Sequence, residues 1–339
     1  MRRLLVTGGA GFIGSHFVEL TLGGSLDEAR SVERLVVLDA LTYAGKRGHL
    51  AAVERDPRFV FVHGDIRDRS LVERLFAEHA FDTVVHLAAE SHVDRSIADA
   101  APFVQTNVVG TFTLLDVARA AWDRNHTRRF VHVSTDEVYG PLGATDHAAE
   151  GSPYAPSSPY AASKAAADHF ARAYFVTHRL PVIVTHCCNN IGTRQAAEKL
   201  VPLFVGNAIA GVPMPIYGEG RQVRDWLAVE DHVRGLWRAI YAGLAGRTYL
   251  FGGGCELENR EVATRIADAV DAALGRPDGT SRELITPVAD RPGHDFRYAL
   301  DSSLAKGELD WAPRVTFEEA LGRVVAEQRG RQPSRRAST

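Results

Sequence analysis

The 339-residue sequence predicts an α/β protein: a doubly wound parallel sheet, with a smaller mixed α/β domain towards the C-terminus. Three observations predict it. Short runs rich in Val and Ile alternate with longer amphipathic stretches through the first half, as parallel strands buried on both faces and joined by helices require. A glycine-rich turn follows the first such run and opens a helix. Beyond Asn190 the pattern loosens, and prolines from Pro202 to Pro313 break the chain into short elements.

In chain order, strands are expected at 3–7, 34–38, 59–63, 83–87, 129–134 and 181–186, with helices notably at 13–22, 103–122 and 160–178. A helix at 229–242 and a strand at 247–251 have the same character, so the chain is expected to return to the first domain there. This gives two discontinuous units: 1–190 plus about 223–251 for a dinucleotide, and about 191–222 plus 252–330 for a substrate. The polar tail 331–339 is expected to be disordered.

Composition narrows the function classes. With 45% hydrophobic and 24% charged residues the chain can bury a large core, and a net charge of −3 from 39 basic and 42 acidic residues offers nucleic acid no broad attraction. Cys187 and Cys188 are adjacent and Cys255 stands alone, so neither zinc spacing nor a disulfide framework is present; no metal is expected, and a cytoplasmic location fits best. The opening Met1 to Val6 imitates an export signal only until Gly8, Gly9, Gly11 and Gly14 interrupt it, and no run approaches the roughly 20 apolar residues of a membrane span. Among the basic residues only Lys46, Lys164, Lys199 and Lys306 are lysine, which draws attention to Lys164 and Lys199.

The glycine-rich turn reads Gly8-Gly9-Ala10-Gly11-Phe12-Ile13-Gly14. Gly8 permits the tight turn, Gly11 a close approach to pyrophosphate, and Gly14 close helix packing, while the helix N-terminus offers free N–H groups. Asp39 ends the second strand, where a carboxylate accepts ribose hydroxyls and repels a 2′-phosphate, so NAD is expected rather than NADP. Asp65-Ile66 and Leu87-Ala88-Ala89 follow the third and fourth strands at the ends where ligands of such sheets bind. By themselves Asp65 reads equally as a helix-start acid, and the alanines as packing.

Tyr160 and Lys164 are spaced i, i+4, on one face of a helix, and an ammonium beside a phenol favours phenolate, a base for an alcohol losing hydride. Out of context such a pair is more often a surface pair. The pair follows Ser134-Thr135, whose hydroxyls close the fifth strand. Thr135-Asp136-Glu137 then puts two carboxyls beside the same place. Hydride exchange needs neither, whereas elimination of water needs an acid and a base, and neighbouring carboxyls in one desolvated site tend to split into those roles. An isolated Asp-Glu pair would usually begin a solvated turn.

The GxxGxxG turn resembles the extended branch of the short-chain dehydrogenase/reductase superfamily, with its Rossmann-like sheet. Ser134-Thr135-Asp136-Glu137-Val138-Tyr139-Gly140 and Tyr154-Ala155-Pro156-Ser157-Ser158-Pro159-Tyr160 are similar to the nucleotide-sugar 4,6-dehydratases of that branch, and within it to the members acting on dTDP-glucose. Leu41-Thr42-Tyr43-Ala44-Gly45, His86 to Asp94, Glu198-Lys199-Leu200, Val223-Arg224-Asp225-Trp226 and Asp290 to Asp295 agree, extending the likeness to about Pro313.

The resemblance implies a homodimeric lyase of deoxysugar biosynthesis with a dTDP-sugar substrate and tightly held NAD regenerated in each turnover. It implies that Thr135, Asp136, Glu137, Tyr160 and Lys164 are catalytic. It assigns NAD to Gly8, Gly11, Phe12, Ile13, Gly14, Asp39, Leu41, Thr42, Asp65, Ile66, Leu87, Ala88, Ala89, Ser91, Thr106, Tyr160, Lys164 and Asn190. Substrate is assigned to Ser91, Thr135, Asn189, Glu198, Lys199, Leu200, Pro215, Ile216, Tyr217, Arg224, Asn259, Arg291 and His294. The sequence departs from the family at Ile191 and Thr193, at Ala196-Ala197, and at Lys46. An epimerase or decarboxylase would keep Tyr160 and Lys164 but have no use for Asp136 and Glu137; a NAD-sensing protein without catalysis would be expected to lose the Tyr/Lys pair too.

Overall fold

The computed structural model describes residues 1–122, 127–290 and 292–331. Thirteen strands are formed among them: β1 Arg3–Thr7, β2 Arg34–Asp39, β3 Phe59–His63, β4 Thr83–His86, β5 Arg129–Thr135, β6 Val182–Cys187, β7 Asn189–Ile191, β8 Met214–Tyr217, β9 Val223–Ala228, β10 Thr248–Phe251, β11 Glu256–Glu258, β12 Ile285–Val288 and β13 Arg297–Tyr298. Seven pair in one sheet of order β10-β6-β5-β4-β1-β2-β3, and every pairing in it is parallel. The order reverses on either side of β1, so the chain leaves β1 and β4 in opposite directions and opens a crevice at their carboxyl ends.

The apolar runs fold this way because both faces of each strand are covered. Leu4 and Val6 face one core with helices Phe12–Leu22 and Val229–Ala242, through Phe17, Leu236 and Trp237. Leu5 faces the other with helices Arg69–His79, Thr111–Ala121 and Pro159–His178, through Leu75, Leu115 and Ala171. Such two-sided burial leaves no polar alternation to read, as for a parallel sheet. The helix expected at 103–122 is continuous in path but opens into a π-helical stretch at Val104–Gly110 before Thr111–Ala121.

The second, smaller domain packs its own core, including Ile191, Phe204, Ile216, Val262 and Val324, around helices Leu200–Ala210, Asn259–Leu274 and Phe317–Arg331. Its strands form one small sheet of β11, β9, β13 and β7, and another of β12 and β8. Here the structure differs from the expected division at 223: β9 is hydrogen-bonded between β11 and β13, outside the main sheet, and the chain rejoins the main sheet only through helix Val229–Ala242 and β10. Arg331 is the last residue of a helix, and tail residues 332–339 lie outside the described residues. No helix among the described residues is long and apolar enough to cross a membrane.

Candidate active site

A cleft of about 470 Å³ lies at the carboxyl ends of β1, β2, β4, β5 and β6. One wall is the glycine turn. Gly8 has φ +71°, and a Cβ there would sit 2.6 Å from the Ala88 nitrogen; a Cβ on Gly14 would collide with the Gly8 carbonyl. Gly8 N donates to Leu38 O, and Gly11 precedes the first helical residue, Phe12. The turn is therefore pressed between β4 and its own helix, with backbone rather than side chains facing the cleft. Asp39 is buried beside it and accepts from Ala10 N and Leu41 N, each at 2.8 Å. Two oxygens with about four acceptor directions leave it capacity for ribose hydroxyls. These residues fit NAD: a small-residue cradle for a pyrophosphate and a carboxylate for a ribose.

The structure brings Gly8, Gly11, Phe12, Ile13, Gly14, Asp39, Thr42, Asp65, Ile66, Leu87, Ala88, Ala89, Ser91, Thr106, Tyr160, Lys164 and Asn190 together on this cleft. Leu41 does not line it; at φ +51° it turns the chain away while its N–H holds Asp39. Asp65 is clasped by Arg67, whose hydrogen bonds outweigh burial and hold its carboxyl below the usual range. Asn190 is fixed from behind by His232, whose Nδ1 lies 2.9 Å from its Oδ1.

The opposite wall carries Thr135, Asp136, Glu137, Tyr160 and Lys164. Ser158 caps helix Pro159–His178, with Pro159 in its first turn, so Tyr160 and Lys164 lie in the first turns, facing β5. Asp136 and Glu137 begin a single 3₁₀ turn, Asp136–Tyr139, whose start is capped by Thr135 Oγ1 accepting from Glu137 N. Asp136 is 4% exposed; its Oδ1 accepts from Thr135 Oγ1 at 3.2 Å, and its Oδ2 is buried with no hydrogen-bond partner. Burial first, then the neighbouring Glu137, push its carboxyl up to about 8 against the opposing pull of Arg224. At neutral pH it is a proton donor.

Tyr160 is driven well above the ordinary tyrosine value by burial and by Glu137, with a hydrogen bond to Thr135 acting the other way. Lys164 is itself buried, which lowers its own affinity for a proton, and its Nζ donates to Val133 O at 2.8 Å.

Of the residues assigned to substrate, Ser91, Thr135, Asn189, Lys199 and Leu200 line the cleft. Lys199 Nζ donates to Ser91 O at 2.9 Å, which ties the second domain to the loop after β4. Glu198 is exposed outside the cleft. Ile216 packs into the second core, because alternate residues of β8 face inward, and Pro215 and Tyr217 take the other face. Tyr217 meets the ring of His294, which bonds Asp290 at 2.7 Å, so these form a separate group in the second domain. Asn259 is buried at a helix start. Arg224 stacks 4.4 Å over Tyr298 and donates to the carbonyls of Val223 and Asp295, within electrostatic reach of Asp136. Arg291 lies outside the described residues. Among the described residues no three His, Cys, Asp or Glu side chains are grouped to hold a metal ion.

Sequence reasoning missed Cys187, Cys188, Gln195 and Ala196, which also line the cleft. It missed too the buried group of Asp168, His132, His186, Tyr139 and Tyr154 behind the catalytic wall, although Asp168 continues the i, i+4 series of Tyr160 and Lys164.

The profile of the family described as GDP-mannose 4,6 dehydratase matches residues 5–324. A dTDP-glucose 4,6-dehydratase of Neisseria meningitidis serogroup B is 49% identical over 96% of this chain and 92% of its own length. The chain belongs to the dTDP-glucose 4,6-dehydratase family. Another dehydratase, from an Actinoplanes species, is 50% identical over 96% of this chain and 97% of its own. The crystal structure of the Streptomyces venezuelae dTDP-glucose 4,6-dehydratase, determined with NAD bound, superposes with a TM-score of 0.90 at 49% identity, covering 98% of both chains. Within this dehydratase fold the departing loop is securely held. Ile191 is fully buried in the second core, Thr193 meets His16 through its carbonyl at 3.1 Å, and Arg194 pairs with Glu19 at 2.6 Å and donates to His49 O.

Proposed function

We propose that this chain is an NAD-dependent lyase that converts dTDP-glucose into dTDP-4-keto-6-deoxyglucose, a step of deoxysugar biosynthesis. One observation carries the reading: Asp136, a buried carboxyl kept protonated, with an unpartnered oxygen, stands beside Glu137 and Tyr160 on the wall of a dinucleotide cleft. NAD, when bound, accepts hydride from carbon 4 of the sugar and returns it to carbon 6, and so stays in place through turnover.

The chain's own residues do the rest. The phenolate of Tyr160, favoured by the hydrogen bond to Thr135 against burial and Glu137, takes the proton of the 4-hydroxyl. The 4-ketone so formed acidifies the hydrogen on carbon 5, which Glu137 removes. Asp136 delivers its proton to the 6-oxygen, and water leaves. Glu137 then returns its proton to carbon 5 as carbon 6 is reduced. Asn189 holds the sugar side, Lys199, Leu200 and Tyr217 frame the nucleotide, and His294 completes the pocket. Arg224 donates to backbone carbonyls, lowers the proton affinity of Asp136 and carries positive charge for the nucleotide diphosphate.

The same reading makes the protein a cytoplasmic homodimer. Phe112 and Phe170, on adjacent helices with rings 6.1 Å apart, stand about 40% exposed beside Val104 and Val109, an apolar face suited to a second copy. The test of function is direct. Purified protein incubated with dTDP-glucose should yield a keto-deoxy product lighter by one water, and deuterium placed on carbon 4 should reappear on carbon 6 of the same molecule. UDP-glucose turned over equally well, or deuterium lost to solvent, would overturn the assignment.

A further inference from the structure

Helix Pro159–His178 presents Tyr160, Lys164 and Asp168 at successive i, i+4 positions on one face; the first two belong to the catalytic wall and Asp168 has no role in the reaction above. Asp168 is 3% exposed; its hydrogen bonds all reach Oδ2, and Oδ1 is buried with no hydrogen-bond partner. Ser134 Oγ donates at 2.9 Å and Tyr154 OH at 3.1 Å to Oδ2, His186 Nε2 lies 3.1 Å from the same oxygen, and His132 Nε2 lies 3.0 Å from Oδ1. The Tyr139 hydroxyl lies 2.7 Å from His186 Nδ1 on the far side of the same ring. Ser134, His132 and His186 come from β5 and β6, so the carboxylate is locked against the sheet floor of the cleft.

A buried carboxylate needs a compensating charge. No Lys or Arg forms an ion pair with Asp168 among the described residues, and His132 is held near 4 by burial and by Lys164, hence neutral. Against burial, His132 and His186 are the groups that hold Asp168 ionised, and Asp168 in turn favours the charged form of Lys164, one turn back on the same helix. Around that ammonium, burial disfavours charge and Asp168 and Cys187 favour it; Cys187, pushed up to about 12 by burial, is a neutral thiol, and His132 of β5 and His86 of β4 are themselves kept neutral by burial and by Lys164.

We propose that Asp168 is a positioning residue whose fixed carboxylate keeps Lys164 an ammonium, oriented on Val133 O and available to Tyr160 and the cofactor ribose. This rests on the catalytic reading of Tyr160 and Lys164. Its test reads only the first hydride transfer, which bypasses the titration of Asp136: enzyme carrying NAD is mixed rapidly with dTDP-glucose, and formation of reduced nicotinamide is followed against pH.

In Asp168→Asn the alkaline limb should move down by about one pH unit, so that the rate above the limb falls about tenfold while bound NAD is unchanged. Tyr154→Phe, which removes a donor but leaves the charge, should keep the wild-type limb. So should Asp168→Glu, which decides the matter if the asparagine variant does not fold. An unmoved limb in Asp168→Asn, or an equal displacement in Tyr154→Phe or Asp168→Glu, would reduce Asp168 to packing and overturn the inference. Failure of wild-type enzyme to reduce its nicotinamide would instead sink the catalytic reading itself.

Discussion

Asp136 and Glu137 are adjacent and identical in charge type, yet the fold gives them different tasks. The 3₁₀ turn buries the first and leaves the second half-buried, and mutual repulsion adds to the burial in keeping Asp136 protonated. Replacing Asp136 with Asn should slow dehydration by about 10²–10⁴-fold while reduced nicotinamide still forms on mixing with substrate. In wild-type enzyme the dehydration step should decline as pH rises through about 8, because the acid is then lost. Glu137→Gln makes an opposite prediction for the first step. Removing that negative charge lowers the proton affinity of Tyr160, so the acid limb of hydride transfer should move to lower pH while product formation stops; a limb moving to higher pH would contradict the assigned neighbourhood.

At the scale of elements, the glycine turn is legible because its constraint is local. The left-handed φ of Gly8 and the contact of Gly14 with the Gly8 carbonyl are consequences of one strand running straight into one helix. Gly14→Ala should therefore destabilise by about 1–3 kcal/mol and lower NAD content together, read by thermal melting and by the cofactor released on denaturation. Full NAD content with unchanged melting would mean that the turn has room the geometry denies. The Tyr160 and Lys164 pairing was legible for the same reason, since helix periodicity alone puts both on one face. The roles around them were not. The charges and hydrogen bonds around the phenol and the ammonium come from Val133, Glu137 and Thr135, which arrive from a strand and a turn some 25 residues earlier. The division at 223 failed similarly: an apolar run shows that β9 is a strand but not which sheet will receive it.

Across the whole molecule, buried titratable groups set the response to pH. His132 and His232 are held near 4 and 3 by burial, and His86 well below its usual value. Each takes up a proton on unfolding once pH falls below about 6.5, so each withdraws stability from there downwards. Asp136 has the opposite sign: protonated in the fold and ionised when unfolded, it favours the fold increasingly as pH falls from about 8. These opposing signs place the maximum melting temperature at roughly pH 6.5–7; a maximum well below 6 would show that the histidines are not held neutral. The exposed Phe112 and Phe170 make a further molecular prediction. Phe112→Glu should convert a dimer to monomers in sedimentation with little loss of fold, and an unchanged wild-type mass would place the contact elsewhere.

The sequence by itself determined the parallel sheet, the dinucleotide turn, Asp39, and the shared position of Asp136, Glu137, Tyr160 and Lys164 on one cleft, because each is written in spacings of a few residues that strand or helix geometry converts directly into shared position. Only the tertiary structure decided which carboxyl is buried, that Arg224 is occupied by carbonyls, and that Asp168 lies behind Lys164 among His132, His186 and Tyr154. Proton affinity and charge pairing depend on what surrounds a group in space, and those surroundings are assembled from strands and helices far apart in the chain.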